Sequence, residues 1–124
     1  MIRVETKGKD VLIVDDEMDI CYLLSGMLKQ RDLSPDFVNS LSDAQKFLSK
    51  NTPTLLFLDN RLPDGLGLDF IPYVKKHYPS VKVIMITAHD SSMDRKMAYE
   101  GGADYFMGKP LTRLMINDAL DQFV

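Results

Sequence analysis

Short apolar runs alternate along the chain with stretches in which apolar residues recur every three or four positions. Runs of four to six apolar or β-branched residues are typical of buried strands, and the longer spacing is typical of amphipathic helices. Five strands that alternate with five helices indicate a doubly wound (βα)5 fold of the α/β class, with helices on both faces of a five-stranded parallel sheet. The predicted strands are residues 11–14, 36–39, 55–58, 81–86 and 104–107.

Capping residues and prolines predict where the helices begin and end. Pro72 lies inside the third helical stretch, so we expect that helix to begin at Asp69, which puts the proline in the first turn. Gly101 and Gly102 are expected to end the fourth helix in a left-handed conformation. The other predicted N-caps are Ser40 or Ser42 for the second helix and Ser91 for the fourth, and the fifth helix is expected to begin at about Thr112.

Polar side chains follow four of the five predicted strands. The carboxyl ends of parallel strands meet at one edge of a sheet, where open α/β sheets bind ligands, so one pocket can collect these side chains. Several carboxylates in one pocket repel each other and require a cation, and all-oxygen ligation suits Mg²⁺. A carboxylate is also a possible nucleophile toward an activated phosphoryl group. The predicted pocket residues are Asp15 and Asp16, Asp59, Thr87 and Lys109.

Composition narrows the class of protein. With 124 residues, 45% of them apolar, residues 1–124 are expected to form a single domain with residues 1–9 as an N-terminal extension and no output domain. A net charge of −3 gives no broad basic face, so we expect no direct contact with nucleic acid. Cys21 is the only cysteine, and no apolar run approaches the roughly 20 residues that cross a bilayer. We therefore expect a cytoplasmic protein without a membrane partner.

Four motifs follow each other along the chain: residues 11–17, Asp59 with Pro63 and Gly67 after it, residues 86–88, and residues 102–110. Together they resemble the motifs of the receiver domain of two-component response regulators, the CheY-like superfamily. The resemblance covers residues 10–124 and implies the flavodoxin-like strand order 2-1-3-4-5. It also implies a phosphorelay signalling switch that catalyses only its own phosphorylation and dephosphorylation, rather than an enzyme with an external substrate.

The resemblance assigns roles to the acidic residues. Asp59 would accept a phosphoryl group from a sensor histidine kinase or a phosphotransfer protein. Asp16, Asp59 and the backbone carbonyl of Arg61 would hold Mg²⁺, and Asp15 would reach the metal through water.

The resemblance also assigns roles to residues on the last two strands. Lys109 would pair with Asp59 and later with a phosphoryl oxygen, and its peptide bond to Pro110 would be cis. Thr87 would move toward the phosphoryl group, and Phe106, three residues before the lysine, would turn inward behind it. Many receivers have tyrosine at this switch position, and phenylalanine offers no hydroxyl to a partner.

The pattern of apolar residues in the last helix predicts a surface for a partner. Its inward stripe consists of residues 116, 120 and 123, which leaves other apolar residues outside the stripe. In receivers the fourth helix, fifth strand and fifth helix form the face that changes with phosphorylation and binds a downstream effector or a second receiver. The predicted members of this face are Tyr99, Tyr105, Leu114, Met115 and Ala119.

Two other functions are compatible with acids after a first strand. An aspartyl-phosphate phosphatase of the haloacid-dehalogenase type needs two aspartates separated by one residue, whereas Asp15 and Asp16 are adjacent and Glu17 holds the third place. A binding module that is never phosphorylated is the other alternative. Nucleotide binding ranks last, since the glycine-rich dinucleotide and P-loop signatures are missing from the sequence.

Overall fold

A computed structural model describes residues 9–124; residues 1–8 of the predicted N-terminal extension lie outside the described part. The strands and helices follow each other in the expected alternation, with one added hairpin. In chain order they are β1 (Asp10–Val14), α1 (Met18–Gln30), β2 (Ser34–Val38), α2 (Leu41–Leu48), β3 (Leu55–Asp59), β4 (Arg61–Leu62), β5 (Gly65–Leu66), α3 (Gly67–His77), β6 (Lys82–Thr87), α4 (Ser92–Gly101), β7 (Tyr105–Gly108) and α5 (Arg113–Phe123).

The main sheet has five parallel strands in the order β2-β1-β3-β6-β7. Counted without the β4–β5 hairpin, which is a separate antiparallel pair, this is the predicted order 2-1-3-4-5. Pro35 lies in β2 at the edge of the sheet, where a residue without an N–H does not interrupt a ladder. The predicted fold class is confirmed.

The core lies on both faces of the sheet. Residues 11–14 of β1 and 55–58 of β3 are completely buried, and alternate residues along each strand belong to opposite clusters. One cluster contains side chains of α1 and α5, and the other contains side chains of α2, α3 and α4. Burying an aliphatic or aromatic side chain completely contributes about 1.5–3 kcal/mol, so these central strands anchor the fold. Their carboxyl ends are held in fixed positions as a result.

Side-chain caps begin three of the helices, and those at Ser40 and Ser91 were predicted. The hydroxyl oxygens of Ser40, Ser91 and Thr112 accept hydrogen bonds from the backbone N–H three residues later, at 3.0–3.1 Å. Gly102 ends α4 with φ of 113°, a left-handed conformation that glycine adopts without a steric penalty. Ser40, rather than Ser42, is the cap of α2.

The prediction that Asp69 caps α3 is wrong, because the helix begins two residues earlier, at Gly67. Asn60 supplies the missing partners: its backbone oxygen accepts from Gly67 N–H at 2.7 Å, and its side-chain oxygen accepts from Leu68 N–H at 3.0 Å. A cap that comes from a residue seven or eight positions away has no local sequence pattern. Pro72 therefore lies inside the helix, beyond its first turn, where one helical hydrogen bond is lost.

The assignment of Ala119 to an outward face is also wrong. Ala119 is completely buried in the same cluster as Ile116 and Leu120. The inward stripe of α5 is wider than residues 116, 120 and 123, and a residue three positions after Ile116 falls inside it. The other predicted members of that face are Tyr99 and Leu114, which are exposed, and Tyr105 and Met115, which are partly buried.

None of the helices within residues 9–124 combines the length and the apolar character that crossing a bilayer requires.

Two glycines allow a matched test of how closely the backbone packs under Asp59. A Cβ on Gly67 would overlap the backbone carbonyl oxygen of Asp59, whereas a Cβ on Gly26, an exposed position in α1, would meet nothing within 4 Å. We expect Gly67→Ala to lower the free energy of unfolding by about 2–3 kcal/mol. Gly26→Ala should raise it by about 0.5–1 kcal/mol. Urea denaturation measures both, and a Gly67→Ala variant as stable as the parent would contradict the close approach.

Candidate functional site

The carboxyl edge of the main sheet gathers the polar residues that follow its strands. Asp15 follows β1 directly, Asp59 ends β3, Thr87 ends β6 and Lys109 follows β7. Asp15, Asp59 and Thr87 are all buried. A cavity of about 200 Å³ opens there, lined by Asp16, Glu17, Asp59, Arg61, Thr87, Ala88, His89 and Lys109.

The ammonium group of Lys109 lies between three carboxylates. Its Nζ is 2.7 Å from Glu17 Oε1, 2.9 Å from Asp15 Oδ2 and 3.6 Å from Asp59 Oδ1. Burial alone would lower the pKa of Lys109, but the bonds to Glu17 and Asp15 outweigh it and raise the pKa above its usual value. The lysine is therefore a permanent cation, and it is closer to Asp15 and Glu17 than to Asp59.

Asp15 is the most deeply buried acid of the group, with no exposed surface. Its Oδ1 accepts a hydrogen bond from the Glu17 N–H at 2.9 Å, and its backbone oxygen accepts from the Asn39 side chain at 2.8 Å. The thiol of Cys21 also contacts that backbone oxygen, at 3.4 Å. Burial raises the pKa of Asp15, although the Glu17 N–H and Lys109 act in the opposite direction. Asp15 is thus fixed by its backbone and stabilised by a single cation.

The surroundings of Asp59 oppose its ionisation. Burial, and then the charge of Asp15, raise its pKa to about 6, while Lys109 and the Asn60 N–H lower it. That N–H donates to Asp59 Oδ1 at 2.9 Å, which leaves Oδ2 without a bond to the adjacent backbone. A carboxylate with a raised pKa is stabilised in its ionised form when more positive charge lies nearby.

The donor set fits a hard divalent cation. Asp15, Glu17 and Asp59 each place a carboxylate oxygen so that all three oxygens lie within 4.8 Å of one another. Three acids face one lysine, and clustered carboxylate oxygens are the ligands that Mg²⁺ prefers. Glu17, which the sequence did not single out as a ligand, belongs to this group because its Oε1 lies 2.7 Å from Lys109 Nζ, although its side chain is 59% exposed. Asp16 is exposed and lines the cavity.

Thr87 and Lys109 are joined through the backbone. The Lys109 N–H donates to the Thr87 backbone oxygen at 2.7 Å, and the Thr87 hydroxyl oxygen accepts from the His89 N–H at 3.1 Å. The hydroxyl hydrogen remains able to donate to a ligand in the cavity. The peptide bond between Lys109 and Pro110 is cis, as the resemblance implied.

A comparison with known families tests the resemblance to receiver domains. The family model described as the response regulator receiver domain matches residues 11–121 of the chain. The chain belongs to this family. Membership favours a receiver domain over the haloacid-dehalogenase type of phosphatase, and receiver domains are regulatory units rather than enzymes with an external substrate.

Curated relatives and solved structures agree with this assignment. The response regulator protein PilR of Pseudomonas aeruginosa is 38% identical over 100 residues, which cover 81% of this chain and 22% of PilR. The phosphate regulon transcriptional regulatory protein PhoB of Escherichia coli is 32% identical over 107 residues, covering 85% of this chain and 47% of PhoB. The receiver domain therefore spans about a fifth to a half of the length of these curated relatives.

Two solved structures are similar over nearly the whole receiver domain. The signal receiver domain of a putative Luxo repressor protein from Vibrio parahaemolyticus has a TM-score of 0.88 at 26% identity, covering 94% of this chain and 89% of that one. The beryllofluoride-activated NtrC4 receiver domain dimer has a TM-score of 0.83 at 34% identity, covering 93% of this chain and 98% of that one.

The hairpin after β3 attaches the receiver site to α2 through a residue that the sequence did not single out. Asp64, at the turn of the hairpin, accepts hydrogen bonds from the N–H groups of Leu41 and Ser42, both at 2.9 Å. These two bonds hold the pKa of Asp64 below its usual value. Arg61, whose carbonyl is a predicted metal ligand, is part of the same hairpin. In the sequence the Pro-Asp-Gly run reads only as a turn, so this contact has no local signature.

Phe106 points inward in this structure. Its side chain is buried among residues of the α3 and α4 cluster, with 4% of its surface exposed. The guanidinium carbon of Arg95 lies 4.7 Å from the centroid of the ring. The predicted switch position is therefore covered by a cation on α4.

The raised pKa of Asp59 predicts how the stability of the metal-free receiver depends on pH. The native state keeps a proton on Asp59 up to pH about 6, whereas the unfolded chain loses it near pH 4, so wild-type stability falls as the pH rises through this window. Asp59→Asn removes this pH-dependent loss of stability, because the amide does not ionise. We expect the variant to be more stable than wild type above pH 6, on the order of 1–2 kcal/mol or roughly 4 °C in Tm per kcal/mol.

Thermal denaturation in EDTA from pH 4.5 to 8 measures this difference. Asp118→Asn is the matched control, because it removes the same charge from an exposed position on α5. The difference between Asp59→Asn and wild type should shrink toward zero at the acidic end. An equal difference at every pH would contradict a strained Asp59.

Proposed function

We propose that this receiver domain is a phosphorylation-activated switch in which Asp59 takes a phosphoryl group from a sensor histidine kinase or a phosphotransfer protein in a Mg²⁺-dependent reaction. The observation that carries the proposal is the arrangement around Asp59. A buried, electrostatically strained carboxylate lies beside two further acids and 3.6 Å from a lysine ammonium, at the mouth of a cavity. Such a group is poised to react with a phosphoryl donor once its charge is balanced.

In the transfer step, an Asp59 carboxylate oxygen attacks the phosphorus of a phosphohistidine. The new P–O bond forms as the P–N bond breaks, and the electron pair of that bond leaves with the imidazole nitrogen. Asp59 must be ionised to attack, and its pKa of about 6 leaves it mostly ionised at neutral pH. Bound Mg²⁺ supplies neutralisation of the clustered carboxylates and of the phosphoryl oxygens. We propose Asp59, Asp16 or Glu17 and the Arg61 carbonyl as its ligands, with Asp15 acting through water.

Lys109 and Thr87 stabilise the phosphoryl group after transfer. Lys109 shifts from its ion pairs with Asp15 and Glu17 toward a phosphoryl oxygen, and those acids are left to the metal. The hydroxyl of Thr87 donates to a second oxygen, because its acceptor role toward the His89 N–H leaves the hydrogen available. Hydrogen bonds from charged donors are about twice as strong as neutral ones, so Lys109 dominates this stabilisation.

Phosphorylation then shifts a pre-existing equilibrium of the domain. The movement of Thr87 at the end of β6 is accompanied by a rearrangement at Phe106 in the neighbouring strand β7. The conformational change reaches the α4–β7–α5 face. This face consists of Tyr99, Tyr105, Leu114 and Met115, and Ala119 is excluded because it is buried. A downstream effector or a second receiver binds this face with an affinity that depends on the state of Asp59.

Incubation with acetyl phosphate tests the proposal. Wild type should gain the mass of one phosphoryl group in Mg²⁺ and essentially none in EDTA, and hydroxylamine should remove the adduct because it cleaves acyl phosphates. Asp59→Asn should gain none under either condition, while Asp118→Asn should match wild type, since its carboxylate lies outside the pocket. Intact-protein mass spectrometry measures the adduct. An adduct that forms without Mg²⁺, or that persists in Asp59→Asn, would contradict the proposed function.

A further inference from the structure

A chain of contacts runs from the phosphoryl pocket to the outer surface of α4 through a residue that has no assigned role. Arg95 lies on α4, and its guanidinium group has two partners. It covers the ring of Phe106 at 4.7 Å, and its Nη2 is 2.8 Å from Oδ1 of Asp90. The side chains of Arg95 and Asp90 are 44% and 45% exposed. The guanidinium therefore bridges a buried ring and a half-exposed acid.

Asp90 connects this bridge to the pocket. It belongs to the loop between β6 and α4, three residues after Thr87, and the loop is tied back by the bond from the His89 N–H to the Thr87 hydroxyl. Asp90 also packs against the backbone just before Lys109, since a Cβ on Gly108 would lie only 2.8 Å from the Cβ of Asp90. A displacement of Thr87 or of Lys109 must therefore move Asp90 or be opposed by it.

The two partners of the Arg95 guanidinium, an aromatic ring and a carboxylate, explain why a guanidinium is needed here. Phe106 has no polar atom, so a change in its position offers no hydrogen bond to a partner on the surface. A guanidinium group stacks on an aromatic face and binds a carboxylate at the same time through its planar edge. An isolated surface pair of Arg95 and Asp90 would contribute little. The buried ring beneath it distinguishes this pair from ordinary surface ion pairs.

We propose that Arg95 is a positioning residue that couples the loop after Thr87 to Phe106 and thereby transmits the state of Asp59 to α4. The inference rests on the proposed function. When Thr87 moves toward a phosphoryl group, Asp90 moves with its loop, and the guanidinium changes its position over the ring. The result is a change in the exposed charge and apolar surface of α4, the role that a tyrosine hydroxyl would otherwise fill.

Beryllofluoride with Mg²⁺ serves as the probe, as a stable stand-in for the phosphoryl group. Backbone amide NMR spectra report two regions separately: the amides of Asn60 and Ala88 for the pocket, and those of residues 96–100 for α4. In wild type both regions should shift. In Arg95→Met the pocket amides should shift with an affinity within about twofold of wild type, while the α4 shifts fall to less than half. Arg95→Lys should restore only part of the α4 response, because it keeps the cation but lacks the planar group that stacks on the ring.

Arg113→Met is the matched control, because Arg113 lies on α5 and bonds only to Gln30 among the contacts that the described residues show for its side chain. It should leave both regions as in wild type, and thermal denaturation confirms that each variant is folded. If the α4 amides of Arg95→Met shift as fully as those of wild type, the coupling role is wrong even though the pocket responds. If the pocket amides of wild type do not shift, the proposed function fails, and the coupling role fails with it.

Discussion

The ion pairs of Lys109 determine the state of the whole carboxyl edge of the sheet. One ammonium group serves Glu17 at 2.7 Å, Asp15 at 2.9 Å and Asp59 at 3.6 Å. Because three acids cannot be neutralised by one lysine, burial still raises the pKa of Asp15 and of Asp59. The deficit of positive charge is what makes the pocket receptive to a divalent cation. It also leaves Asp59, the acid farthest from the lysine, as the group most ready to react.

The backbone around Asp59 is held in place by close packing, whereas the charged side chains of the pocket can change partners. The strand that carries Asp59 is buried on both faces, and Gly67 approaches its carbonyl so closely that no side chain fits between them. Asn60 begins α3, and Asp64 ties the hairpin to α2. A fixed backbone with movable cations lets the site change its charge distribution without losing its geometry. In the proposed switch, these changes are transmitted outward through the loop after Thr87 and the neighbouring strand.

The sequence predicted those features that depend on neighbours along the chain. Buried runs marked the strands, and the capping hydroxyl groups of Ser40 and Ser91 marked two helix starts. The strand order came from the resemblance to receiver domains, because periodicity does not specify which strands are adjacent.

The features that the sequence did not predict depend on contacts between distant segments. Asn60 caps α3 from across a hairpin, Asp64 caps α2 from 22 or 23 residues away, and Glu17 reaches Lys109 across 92 residues. Ala119 was assigned outward because three larger residues defined the inward stripe of α5, and a methyl group beside them left no distinguishing pattern. Most members of the pocket were therefore predictable, whereas Glu17 and its ion pair with Lys109 were not.

The central claim is that the carboxylates of the pocket outnumber its cations, and that Lys109 and a divalent cation compete for the same carboxylates. Calorimetric titration of Mg²⁺ into wild type, Lys109→Gln and Asp59→Asn tests it most directly. Removing the ammonium should tighten Mg²⁺ binding by roughly tenfold, because a nearby positive charge no longer opposes the metal. Removing the Asp59 carboxylate should weaken it. Binding that is unchanged or weaker in Lys109→Gln, or unaffected in Asp59→Asn, would contradict the account.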